Sequence, residues 1–328
     1  MSAKHLASDD CRRIVATIRG IMQRYGIALD AAPLEAELAE AEWLASFDGD
    51  VLFSAAWDPP TRARTTDAVS RVLRLKRIAW ALHMASDLPG FERIVGRLRD
   101  LRIRTAAPQG DAADEGRFGQ AWDTLFEVEV AAQLMGEPLS VSFEEPDIVV
   151  RFSSSDALLG LACKRPRSLQ SVAGAIGSAV GQIERFPGPG AVVLSLDLLL
   201  PALHRRVLRN WIIVEHDRET AAACAQVVGS AMTDLAGAAG DVFQRAASRS
   251  PRDLADVAGI LGVANLLVIA GLDGGQRYVN TKTVATLLPI VDGAYKADVL
   301  AFVRERLELG QAAFRSDEWM DEVDVPAA

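Results

Sequence analysis

The spacing of apolar residues changes partway along the chain, and this change limits the folds available to it. Through the first hundred residues apolar side chains recur every three or four positions, as at Ile14 and Ile18, which is the period of an amphipathic helix. Further along, helical stretches alternate with short runs rich in β-branched residues, which is typical of strands. Residues 105–117 are small, polar and contain Gly and Pro, as linkers do. The sequence therefore predicts an all-helical N-terminal domain at 1–104, a linker at 105–117 and an α/β domain at 118–328.

The elements of the α/β domain are predicted in a definite order. A helix at 121–135 is followed by strands at 139–143, 147–152 and 157–164, a helix at 168–185 that begins at the good N-cap Ser168, and a strand at 190–200. Helix, three strands, helix and strand together indicate an α/β core. Beyond this core, a buried strand at 259–271 is expected to return through a Gly-rich turn as a second arm at 278–289. Residues 201–247 and 292–315 are predicted to be helical and to form a C-terminal extension.

The overall charge and composition exclude several classes of protein. The chain has 35 Lys and Arg against 44 Asp and Glu, a formal net charge of −9, which argues against coating nucleic acid through bulk positive charge but leaves room for a local basic cleft. Three scattered cysteines without a CxxC pair indicate neither a disulfide framework nor a cysteine zinc site. No apolar run reaches the ~18–20 residues of a membrane span, and the first residues lack the apolar stretch of a signal peptide. We therefore expect no membrane partner and a cytoplasmic location.

Ionisable residues are concentrated in the predicted helix–strand–strand–strand–helix unit. If the second and third strands form a hairpin, Asp147 at the start of one lies near Lys164 at the end of the other. A carboxylate beside an ammonium is suited to hold a divalent metal ion and to orient or help deprotonate an attacking water. Glu127 shares a helical stripe with apolar residues and is expected to face the sheet as a second acid. Glu129, about 200° round the helix, is expected to point elsewhere.

This window resembles the PD-(D/E)XK nuclease superfamily, which has the restriction-endonuclease-like fold. The residues that carry the resemblance are FE at 126–127, EPD at 145–147 and ACK at 162–164. The FE pair and the CKRP after the third strand are most similar to Mrr-like restriction enzymes, and the similarity covers residues 118–200. The resemblance implies an αβββαβ core with a mixed sheet. It also implies a metal-dependent nuclease that hydrolyses phosphodiester bonds, specifically a DNA endonuclease of restriction or phage-defence type.

Carried over position by position, the resemblance assigns a role to each residue. Asp147 becomes the metal-binding aspartate, Lys164 the catalytic lysine and Glu127 the acid on the first helix. The backbone carbonyl of Cys163 becomes a further ligand of Mg²⁺ or Mn²⁺. Gln182 is similar to the glutamine that some branches place on the second core helix, and an exposed polar position near a helix end is an equally good interpretation of it.

One position departs from the family pattern. The superfamily has Asp or Glu two residues before the lysine, and this chain has Ala162. Residues 162 and 164 share a strand face, so a ligand is missing from the metal shell. Three interpretations follow: Glu127 supplies the lost ligand, Glu145 turns in if Pro146 distorts the backbone, or the site is inactive. In the last case the degenerate fold serves as a nucleic-acid-binding or protein-binding module.

Basic residues form local groups in this acidic chain. The residues expected to contact nucleic-acid phosphates, DNA in the first place, are Lys164, Arg165, Arg167, Arg205 and Arg206. Further groups at 71–77 and 97–104 lie on the helical domain, where a solvated helix face explains them equally well. That domain is expected to hold substrate, a partner protein or a second subunit. A homodimer would supply the two active sites that double-strand cutting calls for.

Overall fold

A computed structural model gives the arrangement of most of the chain. It describes residues 8–47, 58–103, 112–136, 139–153, 158–199, 207–208, 211–214, 257–272, 275–289, 298 and 300–307. The chain divides into two compact units, with the boundary between Ala132 and Gln133.

The described part of the first unit is helical, as its apolar period predicts. Its elements are α1 (Ser8–Arg24), α2 (Pro33–Ala45), α3 (Pro59–Ala85), α4 (Phe91–Ile94), a 3₁₀ helix (Val95–Asp100) and α5 (Ala112–Leu134). After α1 the chain turns at Gly26, whose φ of 68° lies in the left-handed region that glycine adopts without steric cost. Asp58 caps α3 by accepting a hydrogen bond from the backbone N–H of Thr61 at 2.9 Å.

The start of α5 differs from the sequence prediction. The helix begins at Ala112, so residues 112–117 of the expected linker are helical, while 104–111 lie outside the described residues. The Ala-Ala-Asp-Glu run at 112–115 explains the early start, because alanine and glutamate favour helix and acids favour its first turn.

Buried ion pairs connect the helices of the first unit. Glu37 of α2 is 3% exposed; it binds Arg71 of α3 at 2.6 Å and accepts a hydrogen bond from the backbone N–H of Ile103 at 3.0 Å. Arg77 of α3 binds Glu129 of α5, whose side chain is 2% exposed. Because a buried charge without a partner is costly, these contacts fix how the helices face one another.

The second unit is built on a mixed sheet, as the predicted α/β class requires. Its strands are β1 (Leu139–Ser142), β2 (Ile148–Phe152), β3 (Leu158–Lys164), β4 (Gly190–Ser195), β5 (Val207–Leu208), β6 (Trp211–Val214), β7 (Val257–Leu272) and β8 (Gly275–Pro289). The first three strands form an antiparallel meander, and β4 lies parallel to β3. The connection from β3 to β4 is α6 (Leu169–Ile183), which begins at the capping box of Ser168. The predicted order of helix, three strands, helix and strand is therefore present.

The long strand β7 joins the rest of the sheet. Its first half pairs in parallel with β4 and its second half in parallel with β6, while β8 runs antiparallel along its length. This hairpin agrees with the strand and returning arm expected from the sequence. Residues 300–307 form a further helix, α7, with Val303 and Leu307 fully buried.

The helix predicted across 201–247 is wrong where the structure describes that region. Strands β5 and β6 lie there, and residues 201–206, 209–210 and 215–247 are outside the described residues. The WIIV run of β6 consists of an aromatic and three β-branched residues, which favour strands. β6 pairs with β7, which lies far away in the sequence. The prediction of a helix followed the neighbouring alanine-rich stretch, which carries no information about that pairing.

Candidate functional site

Asp147 lies in the loop between β1 and β2, directly before β2 begins. The ladder pairs Ile148 with Leu161, so one further step along it places Asp147 opposite Ala162. Asp147 Oδ2 accepts a hydrogen bond from the backbone N–H of Cys163 at 2.7 Å and one from Lys164 Nζ at 3.0 Å. The predicted hairpin geometry is thus observed, with the carboxylate and the ammonium in direct contact.

Lys164 is the last residue of β3, and its ammonium lies between two oxygens. It donates to Asp147 Oδ2 and, at 3.1 Å, to the backbone carbonyl oxygen of Cys163. The side chains of Lys164 and Asp147 are 20% and 14% exposed. The ammonium therefore occupies the position between the two oxygens that the family resemblance assigns to a metal ion.

Gln182 reaches the same carboxylate from α6. Its Nε2 donates to the backbone carbonyl oxygen of Pro146 at 2.7 Å and to Asp147 Oδ1 at 3.1 Å. Its Oε1 is buried and has no hydrogen-bond partner among the described residues. Gln182 is therefore bonded to Pro146 and Asp147 rather than being an exposed polar residue near a helix end.

Glycines let α6 and the Asp147 loop approach the sheet. A Cβ on Gly160 of β3 would lie 2.8 Å from Phe186 Cδ1 and 3.0 Å from Cγ and Cδ of Pro146. A Cβ on Gly190 of β4 would lie 2.6 Å from Cγ2 of Ile183. The absence of a side chain at Gly160 lets Pro146, and with it Asp147, lie against the face of β3 that also carries Ala162 and Lys164. Its absence at Gly190 lets Ile183 of α6 approach β4.

Burial controls the electrostatics of this cluster. Desolvation raises the pKa of Asp147 above its ordinary value, while the Lys164 ammonium and the hydrogen bonds from Cys163 N–H and Gln182 act in the opposite direction. Burying the negative charge of a carboxylate costs free energy, and binding either a proton or a cation reduces that cost. Asp147 is therefore a carboxylate for which a closely placed cation is favourable.

Ala162 is completely buried. Its methyl group lies on the strand face that it shares with Lys164, so no carboxylate enters the cluster from this position. The side chain of Cys163 points to the opposite face of β3 and is 5% exposed, as expected for a small apolar residue of the core.

Glu127 and Glu129 of α5 behave differently from the helical-stripe expectation. Glu129 is the buried one and binds Arg77, and its Oε1 is buried without a hydrogen-bond partner in the described part of the chain. Glu127 is half-buried on α5 within the first unit, and its part in a shared metal shell stays a prediction. Glu145 is exposed and pairs with Arg185 at 3.0 Å rather than with Lys164.

The basic residues predicted to contact phosphates are placed only in part. Arg165 is half-buried and Arg167 is exposed directly after β3, while Arg205 and Arg206 lie outside the described residues. Arg185, which sequence reasoning missed, lies beside this site through its contact with Glu145. The available signal was its position three residues after Gln182, just beyond the end of α6.

Comparison with known proteins does not identify a family for this chain. Searches against protein-family models, curated proteins and solved structures found no match to this chain. The described residues contain no group of three or more His, Cys, Asp or Glu side chains arranged for a metal ion. Within those residues, no helix is both long and apolar enough to cross a membrane. The fold and site thus define an α/β protein with a half-buried cluster of Asp147, Lys164 and Gln182 at one end of β3.

Proposed function

We propose that this chain is a metal-dependent nuclease that hydrolyses phosphodiester bonds, with DNA as substrate and Mg²⁺ or Mn²⁺ as cofactor. The observation that carries the proposal is the contact of Asp147 with both Lys164 and Gln182, at 3.0 and 3.1 Å. These side chains come from a loop, a strand and a helix, so three elements converge on one carboxylate. The restriction-endonuclease-like core and a role in restriction or phage defence belong to the proposal through the family resemblance alone.

The oxygens of the cluster suit a magnesium ion that is completed by its substrate. Asp147 supplies a carboxylate and Cys163 a backbone carbonyl, both within 3.1 Å of the Lys164 ammonium. Mg²⁺ in nucleotide and nucleic-acid enzymes commonly binds one or two carboxylates, several waters and substrate phosphate oxygens rather than a cage of protein ligands. Asp147 and the Cys163 carbonyl would hold the ion, which would polarise a phosphate oxygen and make a water more acidic.

The other residues of the cluster act on Asp147 and on water. Gln182 holds Oδ1 and the Pro146 carbonyl together, which fixes the rotation of the carboxylate. Lys164, once released from Oδ2, has three N–H groups to orient an attacking water and to offset negative charge on the phosphate. Arg167, exposed beyond the end of β3, would contact a neighbouring phosphate without reading base sequence.

A second function, a non-catalytic binding module, is favoured by a specific observation. Ala162 removes the second acid, and in the structure Asp147 accepts hydrogen bonds from Cys163 N–H, Lys164 and Gln182. A carboxylate with these partners also serves as a structural cap for the hairpin of β2 and β3. The degenerate fold would then present its basic residues to nucleic acid or protein without cutting.

One set of incubations separates the two functions. The full chain is incubated with plasmid, linear and single-stranded DNA and with RNA, in Mg²⁺, Mn²⁺ or EDTA. Asp147→Asn and Lys164→Met are tested in parallel, and Arg151→Met, a change on β2 in a different side-chain cluster, is the matched control. Metal-dependent cleavage that both site variants lose and the control keeps supports the nuclease. Absence of cleavage on every substrate, with each variant folded by circular dichroism, refutes it and leaves the binding module.

A further inference from the structure

We infer that the first unit carries its own contact surface for a nucleic-acid phosphate backbone, formed by Arg93, Arg97, Arg99 and Arg102. We call these four residues the arginine ridge. They lie along α4, the 3₁₀ helix and the two residues after it. The ridge needs no catalytic site, so it applies equally to a nuclease and to a binding module.

In the segment from 91 to 102 the apolar residues are buried and the arginines are exposed. The apolar residues Phe91, Ile94, Val95, Leu98 and Leu101 are all buried, with exposures between 0% and 9%. The exposed positions from 91 to 102 are Glu92, Arg93, Gly96, Arg97, Arg99 and Arg102. The backbone of the segment is thus anchored in the core, while the four arginine residues are exposed.

The four acidic residues of α2 already have basic partners outside the ridge. On α2, which packs against the 3₁₀ helix, Glu35 and Glu42 bind Arg19, Glu37 binds Arg71, and Glu40 lies 3.5 Å from Arg64. The segment itself contains two acidic residues, Glu92 and Asp100, and four arginines.

Arg97 and Arg99 are the residues of the ridge that we expect to contribute most to binding a phosphate. Burial raises the pKa of Glu37 and the charge of Arg102 acts against that rise, so part of the charge of Arg102 is already used. Neither Arg97 nor Arg99 has a hydrogen-bond or ion-pair partner among the described residues.

The character of the exposed side chains favours nucleic acid over a protein partner. Protein interfaces depend on buried aromatic or aliphatic anchors, and the exposed positions of this segment carry none. In the whole described part of the chain, Leu198 of the second unit is the exposed large apolar residue. A row of guanidinium groups without apolar anchors suits a polyanion held by counterion release, since each guanidinium can bind a phosphate in a fork geometry.

Binding in EDTA tests the ridge apart from cleavage. A labelled DNA duplex is titrated with the full chain between about 50 and 200 mM KCl, followed by fluorescence anisotropy. The test variant is Arg97→Gln/Arg99→Gln. The control, Arg12→Gln/Arg24→Gln, removes two exposed arginines of the same unit that pair with Asp9 and Asp87. Vesicles containing phosphatidylserine are titrated in parallel.

The expected result follows from the loss of two phosphate contacts. The slope of log K against log salt becomes shallower by about 1.8, and binding at 0.1 M salt weakens by about 60-fold. The control stays within twofold of the unaltered chain. Equal behaviour of the two double variants, no DNA binding by the unaltered chain, or binding to vesicles alone overturns the inference. Cleavage assays with Asp147→Asn report on the proposed nuclease separately, because that variant leaves the ridge intact.

Discussion

Replacing Ala162 by aspartate is the most direct test of how the cluster is arranged. The residue lies opposite Asp147 and two positions before Lys164 on the same strand face, and it is completely buried. Aspartate at 162 would therefore place a second carboxylate beside the first, close to the position now taken by the Lys164 ammonium. We expect this change to create a stronger metal site and to weaken the fold when no metal is present.

Burial sets the size of both effects, the gain in metal binding and the loss of stability when no metal is present. An added carboxylate at a 0%-exposed position, next to one that is 14% exposed, pays a desolvation penalty of several kcal/mol that Lys164 offsets only in part. We expect the free energy of unfolding in EDTA to fall by about 3 kcal/mol. A divalent ion that binds only the folded state restores about 2.7 kcal/mol at 100 times its dissociation constant. The unaltered chain, with one carboxylate, should gain less than about 1 kcal/mol under the same conditions.

The assay is urea unfolding of the unaltered chain, Ala162→Asp and Ala162→Asn, each in EDTA and in MnCl₂. The asparagine variant has the same shape without the charge, so it measures the cost of filling the position. Manganese should stabilise the aspartate variant and leave the asparagine variant nearly unchanged. Equal stabilisation of the two variants, or none in either, would show that residue 162 does not face a cation position and would refute the reasoning.

Two further predictions concern stability. Burial raises the pKa of Glu37, so its contribution to the free energy of unfolding is most favourable below its ordinary pKa of about 4.3 and is lost as the pH rises through the raised value. The free energy of the unaltered chain minus that of Glu37→Gln should therefore fall with rising pH in urea titrations; a constant difference would contradict this. Gly160→Ala should lower the free energy of unfolding by about 1–3 kcal/mol, because the new Cβ meets Phe186 and Pro146 at 2.8–3.0 Å. Gly174→Ala, with nothing within 4 Å, is its control, and equal stability of the two variants would be the contrary result.

Much of the cluster could be read from local sequence signals. The contact of Asp147 with Lys164 follows from two short strands joined as a hairpin, and α6 begins at the Ser168 cap that the sequence indicates. These features depend on neighbours within about twenty residues of one another. For the same reason the antiparallel meander agrees with the predicted order of elements, and the parallel crossover to β4 agrees with it although its paired residues lie 30 positions apart.

Features that depend on distant neighbours could not be read in this way. On α5, residues 128–132 are all buried, so helical period alone could not decide between Glu127 and Glu129. The choice of Glu129 as the buried acid depends on Arg77, which lies 52 positions earlier. In the same way β6 is a strand because β7 is present to pair with it, although the paired positions, such as Trp211 and Leu267, lie 56 residues apart.

The charge of the cluster bears on how a nuclease of this kind would bind its metal. Asp147 and Lys164 together carry no net charge, whereas an acid at 162 would make the same group negative. A neutral group attracts a divalent ion weakly, and the phosphate of a bound substrate adds the missing negative charge. Under the proposed function, metal and nucleic acid should therefore bind cooperatively, each raising the affinity for the other by the same factor. Ala162 would then make metal binding depend on substrate without abolishing the chemistry, and a binding module with the same residues would show no such coupling.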